Sequence, residues 1–548
     1  MRKHPAGLPY LFFTEMWERF GFYLMIGIFL LYMTDITANG GLGFDRTTAS
    51  DIYGTFIALI YVTPFIGGLL ADRVLGFRRS IIIGGVLMGA GYLLLAVPNN
   101  LTTFYAALAL MILGNGFFKP NISTLLGNLY NEERYKDQKD DGYNIFYMGI
   151  NIGALICNFV AAYLRNTYGW GYAFAAAGVG MFIGVGIFLS ATRHIAHADV
   201  RKEANPAEAG VATLLSSVLL PAIITGFLAW HIPDNIFGTD STDAFIFGSI
   251  PVIAFFLWIL WKSTPAEKPR IRALLSIYAV VIVFWAVFKQ NGTALTTWAE
   301  FYTDRSMPAW IEGPAKFMGT VQEIKNEPDT FPIYDEQFRT TKDPVTDKIA
   351  TAPDILPPYL KNLPEDEWPA PGQSIKVVST EIYQSVNPFF VIVLTPLLVW
   401  FFGRLRQRKR EPTTPGKIGW GLVITALSTL VTIFAVYACH NGAEKASVGW
   451  LIGAYGVITL GELCISPMGL STVSKMAPPR IAGLMMGGWM LATSIGNKLS
   501  GVLATMWDSY DDKANFFWVN FVLLAVAAGA LFLMLRWLNR IFREQGLS

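Results

Sequence analysis

The sequence predicts an all-α membrane protein built from fourteen spanning helices. Three observations carry that expectation. The 548 residues are 53% hydrophobic with a mean hydropathy of +0.42. Apolar runs of about 20 residues recur along the chain, the length that crosses a hydrocarbon core as a helix. Lys and Arg alternate between rich and poor connecting loops. A transmembrane barrel needs short alternating strands, and the long continuous runs argue against one. The net charge is only +2, which gives no nucleic-acid footprint. The three cysteines, Cys157, Cys439 and Cys464, fall in or at the end of apolar segments without metal-ligand spacing, and read as small apolar residues.

Helices are expected at about 8–33, 47–71, 80–97, 101–128, 142–165, 170–191, 211–231, 244–261, 272–303, 378–402, 417–439, 447–475, 480–507 and 515–541. The first run is too long and too charged for a cleaved signal peptide and is expected to stay as a span. One set of loops holds Arg73, Arg78 and Arg79, then Arg193, then Lys268 and Arg270, then Arg404, Arg406, Arg408, Lys409 and Arg410. The opposite short loops hold only Arg46, Arg165, Lys445 and Lys513. That asymmetry places both termini in the cytoplasm. Segments 193–209 and 262–271 flank the pair 211–231 and 244–261, which reads as an addition between two six-helix halves. The expected division is therefore 1–192, 193–271 and 272–548. Within the last unit lies a polar, Pro-rich insertion at about 304–377, expected outside as a surface cap or irregular loop or, less simply, a module that binds a partner or gathers substrate.

Charges inside these runs carry the chemistry. Glu15, Glu18 and Arg19 fall at i, i+3 and i+4, on one helical face, where they can offset one another or line a wet cavity. Lys119 precedes Pro120 in GNGFFKPNIS and needs a partner, with Glu15, Glu18 and a substrate carboxylate as candidates. Asn144, Tyr147, Asn151 and Asn158 form a polar stripe suited to interhelical bonds or to amide recognition. Glu381, Gln384, Ser385 and Asn387 lie near Pro388, and Glu462 lies five residues before Pro467. A buried glutamate beside a broken helix suits an amine or a proton. Trp489 offers an apolar wall, and Lys498 either partners Glu462 or sits near an interface. In GGLLADRVLGFRRS, Asp72 with Arg73, Arg78 and Arg79 can form a breakable surface clasp.

That loop resembles the signature loop of the major facilitator superfamily. EMWERFGFY resembles the ExxERFxYY motif of the proton-dependent oligopeptide transporter family, and GNGFFKPNIS, FYMGINIGAL, QSVNPFF and GELCISPMGLS resemble its further blocks in order. The resemblance covers roughly 10–190 and 272–535, and the extra helix pair is similar to that of bacterial members. It implies a major facilitator fold of two six-helix bundles plus an inserted pair, in a bacterial inner membrane, acting as a monomer. It implies a proton symporter importing di- and tripeptides by alternating access, with no resident cofactor. Arg19 and Lys119 would hold the peptide carboxylate with Tyr23. Glu462 would hold the amino group, with Asn151 and Asn387 nearby and Tyr61 and Trp489 as further pocket residues. Glu15 and Glu18 would help couple the proton.

Two positions depart from the pattern. Phe22 stands where the motif has its first tyrosine, and Lys289 stands where the family usually has a glutamate tied to gating and protonation. With Lys289, the candidate buried anions are Glu15, Glu18 and Glu462, against the cations Arg19, Lys119, Lys289 and Lys498. Lys289 either loses its proton by desolvation beside other cations or pairs with Glu15, Glu18 or an anionic substrate. The other classes weighed are a same-fold carrier for an anion or a drug, a membrane enzyme, and a scaffold. The five histidines form no HExxH and there is no GxSxG, so the enzyme reading has no nucleophile or metal constellation behind it.

Overall fold

The computed structural model describes residues 4–135, 138–200, 215–344, 346, 348–478 and 481–545. The long helices run α1 Leu8–Thr34, α2 Arg46–Leu70, α3 Phe77–Leu95, α4 Leu101–Leu129, α5 Lys139–Tyr168 and α6 Trp170–Ser190. The pair follows as α7 Leu220–Trp230 and α8 Asp240–Lys262. Then come α9 Lys268–Phe288, α10 Val386–Gln407, α11 Thr414–Ala438, α12 Val448–Met476, α13 Ala482–Thr505 and α14 Lys513–Glu544. Among the described residues, twelve helices are long and apolar enough to cross a membrane. The two beyond them are α7, whose apolar helix covers only Ser216–Trp230, and α13, which carries the polar Asn497 and Lys498.

Several starts are set by a capping side chain in the preceding loop. Asp45 accepts from the Thr48 amide at 3.1 Å, Asn100 from Thr103 at 3.1 Å and Asp512 from Ala514 at 2.9 Å. The α2–α3 turn ends at Gly76, whose φ of 83° is a left-handed value that a side chain disfavours. Asp199 then accepts from the Phe77 amide at 2.8 Å, satisfying a free donor at the start of α3.

Two apolar cores form. One is built from residues 8–198 and includes Phe29, Phe104 and Phe174. The other is built from residues 256–542 and includes Trp298, Trp507 and Phe517. They meet where α2 runs along α13. There Gly54 faces Gly501 so closely that a Cβ on Gly54 would lie 2.7 Å from the Gly501 Cα. That close approach is what a glycine pair permits between membrane helices.

The expected helix 272–303 is interrupted. After Phe288 the chain tightens over Lys289–Gly292, resumes briefly at Ala294–Thr297 and widens over Trp298–Tyr302. The freed Asn291 carbonyl accepts from Gln384 at 2.6 Å, Thr296 at 2.9 Å and Tyr455 at 3.4 Å. Neighbouring side chains thus replace the missing helical bonds. The expected start of helix 378–402 also differs: Thr380–Ser385 is a tight 3₁₀ turn, and α10 proper begins at Val386.

The Pro-rich insertion folds. It holds the helix Ala309–Phe317 and two antiparallel strand pairs, Val321–Lys325 with Ser374–Val378, and Asp329–Pro332 with Thr351–Ile355. Tyr359, Leu360, Leu363 and Val377 form its small core. The irregular loop that composition offered is corrected accordingly: short strands form there even where they hold a proline, Pro332 ending one and Pro353 lying within another. We call this side of the molecule the insert end. A cavity of about 520 Å³ lies there, lined by Arg46, Arg165, Glu300, Arg305 and Tyr334 among others.

Candidate functional site

Five helices bring charged or phenolic groups from the middle of their spans to one place. On α1, Arg19 donates through two nitrogens to both Glu18 carboxylate oxygens, and its Nε lies 3.5 Å from Glu15 Oε1. The cluster is sealed: the side chains of Arg19, Glu15 and Glu18 are 3% exposed or less. The spacing read from sequence therefore yields a neutralised guanidinium, which also packs 4.9 Å from the Phe22 ring centroid.

Beside it lies a group that is only partly buried. The Lys119 ammonium stands 4.8 Å from the Tyr61 ring centroid, and the Lys289 ammonium 5.7 Å from the same centroid. Lys289 also lies 5.5 Å from the Trp285 ring and 5.8 Å from the Phe288 ring. Aromatic faces attract cations, so these rings give each ammonium a partial substitute for an anion. Among the described residues no carboxylate comes within 4.0 Å of either lysine. Lys119 and Lys289 therefore form no direct ion pair with Glu15 or Glu18 among the described residues, although Lys119 is close enough to feel both acids, and Glu15 Oε2 is left without a hydrogen-bond partner there.

Glu462, opposite, accepts from the Asn387 amide at 3.0 Å, and that amide also reaches Thr459 at 2.9 Å. Glu462 is close enough to feel the charge of Lys289 and to act on the Tyr23 phenol. Tyr61 feels Lys119, Lys289, Arg19 and Glu462 together. One electrostatic neighbourhood thus joins both halves.

Other expected residues fall elsewhere. Lys498 does not meet Glu462; its ammonium donates to Asp51 at 2.6 Å, Thr55 at 2.7 Å and Ser241 at 2.8 Å. Asp51 also accepts from Thr239 at 3.1 Å and Thr242 at 3.3 Å. Sequence reasoning missed Asp51 because it sits one turn into α2, next to a polar loop. Asn151 donates to the Tyr147 carbonyl of its own helix at 2.9 Å, and Asn158 donates to Ser385 at 3.0 Å, so this part of the polar stripe serves helix contacts. Glu381 faces Arg165 at 3.2 Å. Trp489 is buried, edge to face with Tyr278 at 6.0 Å. Tyr147, by contrast, is 51% exposed. The side chains of Asp72 and Arg73 lie outside the described residues; Arg79 is exposed.

A family model described as "PTR2: POT family" matches residues 78–324 and 373–519. The chain belongs to the POT family. It is 30% identical to the di-/tripeptide transporter of Lactococcus lactis subsp. cremoris, covering 97% of this chain and 95% of the relative. It is 29% identical to the "uncharacterized transporter YclF" of Bacillus subtilis (strain 168), covering 97% and 94%. A solved peptide transporter POT mutant in complex with alafosfalin superposes with a TM-score of 0.76 at 28% identity, covering 98% of this chain and 96% of that one. The POT family resemblance read from the motifs is thus shown for the whole chain, and with it the major facilitator architecture. Lys289 lies at the joint where α9 unwinds.

Proposed function

We propose that the protein is a proton-coupled symporter that imports di- and tripeptides, and that it is a carrier rather than an enzyme. The observation that carries this reading is the partly exposed set Lys119, Tyr61, Lys289 and Glu462, with opposite charges from both halves around one space. A peptide has a carboxylate at one end and an ammonium at the other. Lys119 would take the first and Glu462, held by Asn387, the second, with Tyr23 and Tyr61 as walls. Named relatives and a solved neighbour that handle peptides support the same substrate class.

Arg19 is held by two acids in the resting arrangement. A proton delivered to Glu15 or Glu18 would loosen that hold and release a guanidinium for the peptide carboxylate, linking proton entry to binding. The Lys- and Arg-rich loops support a topology with the insert outside a bacterial inner membrane and both termini in the cytoplasm. We take the working unit to be a monomer.

The test is uptake into liposomes under an imposed inward pH gradient. Labelled dialanine should accumulate, trialanine should compete, and dissipating the gradient should abolish accumulation. Glu462→Gln and Lys119→Gln should each reduce uptake at least tenfold. Gradient-independent accumulation, or none at all for any peptide by a folded protein, would overturn the reading.

A further inference from the structure

The inserted pair leaves a gap beside the rest of the molecule. Between α7, α8 and the line where α2 meets α13 runs a cleft of about 340 Å³. Its walls include Leu59 and Phe65 of α2, Ala222 of α7, Phe245 of α8 and Leu491 of α13, so both halves and the pair contribute. Among the described residues no ionisable side chain lines it, and neither Lys119 nor Glu462 borders it. On its rim Ile223 and Phe227 are 57% and 65% exposed, so the cleft opens sideways. The helix α8 is long and apolar enough to span, and what surrounds such a helix is hydrocarbon.

Neither water nor a void suits this space. A buried water needs about three polar partners. The hydroxyls at the cleft are already committed: Thr55 donates to Ser241 at 3.4 Å, Ser241 donates to Asp51, and Ser249 and Ser494 donate to the Phe245 and Ala58 carbonyls at 2.7 Å each. Left empty, the apolar walls would forfeit their dispersion contacts on one side. The reach of the cleft fits one filler. It runs from Ser241 to Val252 on α8 and from Thr55 to Ile66 on α2, about 16 Å of helix in each case. One leaflet of a bilayer has a hydrocarbon depth of about 15 Å. The Ser241 end is the insert end, beside Thr239 and the Asp51–Lys498 pair. Trp230 borders the cleft there, with the amphipathic ring that membrane interfaces favour.

We infer that the cleft binds one acyl chain of a phospholipid from the insert-side leaflet, with its methyl end near Val252 and its ester end at the level of Trp230 and Ser241. The inference is independent of what the protein transports. A chain seated there touches α2, α13 and both inserted helices at once, and so completes the packing between the pair and the meeting of the halves. Lipid elsewhere around the protein touches one outward face. The gain is contact rather than transfer from water, because lipid tails are as apolar as leucine. Length therefore governs the choice: a chain must run the whole cleft to restore the contacts of its walls.

The experiment is native mass spectrometry of the full chain in mild detergent, with palmitoyl-oleoyl phosphatidylethanolamine added back after washing. Binding should saturate at one phospholipid per protein. Dihexanoyl phosphatidylethanolamine, whose chains are too short for the cleft, should compete on the order of tenfold less well. Ser249→Phe puts a ring into the cleft and should lower the retained lipid at least about fivefold. Ile250→Phe, at a side chain 52% exposed and outside the cleft, should leave retention unchanged. Thermal unfolding in detergent checks that both variants fold. Should Ser249→Phe fail to fold, the native protein decides alone through saturation and chain length. No phospholipid retained by the folded native protein overturns the inference, as does equal competition by the short-chain lipid. Full retention in Ser249→Phe removes the cleft as the site. Oleate or detergent displacing the phospholipid at equal concentration overturns the phospholipid as source, and a lipid-free dimer assigns the cleft to a second copy instead.

Discussion

A buried ion pair is asymmetric in its consequences. Breaking one partner strands the other, whereas removing both together can be nearly neutral. Lys498 and Asp51 join the two halves through such a pair, with side chains 1% and 12% exposed. Asp51→Asn or Lys498→Met alone should destabilise the protein by about 3–5 kcal/mol, and the double change should be milder than the sum of the two. Thermal unfolding in detergent checks this, and additive losses would show that the pair is not a coupled unit. The partnership was not legible in the sequence. Helical spacing fixes which charges share a face, so the Glu15, Glu18 and Arg19 cluster could be read directly. Lys498 and Asp51 are distant in sequence, and only the packing of α13 on α2 selects one for the other.

Elements show the same division between local and tertiary cause. Helix positions followed the apolar runs closely, yet the break after Phe288 was hidden inside one of them. Asn291 and Gly292 hint at it, but an unwound turn survives in a membrane only if other segments satisfy its carbonyls. Gln384→Leu removes the shortest of those bonds, the 2.6 Å contact to Asn291. It should lower stability by about 1–3 kcal/mol, read as a fall in unfolding temperature; no change would mean that water or Tyr455 suffices. Between α10 and α11, Arg406 and Lys417 both donate to Glu411 at 2.6 Å and hold its carboxyl down at about 2, Arg406 contributing most. A depressed carboxyl stabilises the fold above its ordinary value of 4.5 and loses that contribution as pH falls toward 2. Glu411→Gln should therefore flatten the acid limb of the stability–pH curve in that window and leave its shape near neutrality unaltered.

Across the whole molecule, the polar links between halves gather at the insert end. Among the described residues these include Arg46 to Asp508 at 2.7 Å, Arg165 to Glu381 at 3.2 Å and Lys342 to Asp45 at 2.9 Å. Arg46 also donates to the Phe338 carbonyl of the insertion at 3.0 Å, and the Ile349 amide to Gly43 at 3.0 Å. The insertion thus fastens onto both halves. Arg46→Met combined with Arg165→Met should loosen this side, so that a cysteine substituted at Tyr61 reacts several-fold faster with a membrane-impermeant thiol reagent applied from the insert side. Unchanged labelling would show that the strands alone keep it shut. The insertion was the least legible region, because strands of four or five residues, two of them holding a proline, leave little periodic signal and pair across long stretches of sequence.

The α7–α8 pair joins this assembly through Thr239 and Ser241, which reach the Asp51–Lys498 pair, and through Phe256 and Ile259 of α8, which enter the second core. Elsewhere it is bordered by an apolar cleft of about 340 Å³ and turns Ile223, Phe227 and Trp261 outward. Any sliding of α2 along α13 must drag this two-helix paddle through the surrounding acyl chains. The thickness and viscosity of the bilayer are thereby mechanically coupled to the joint.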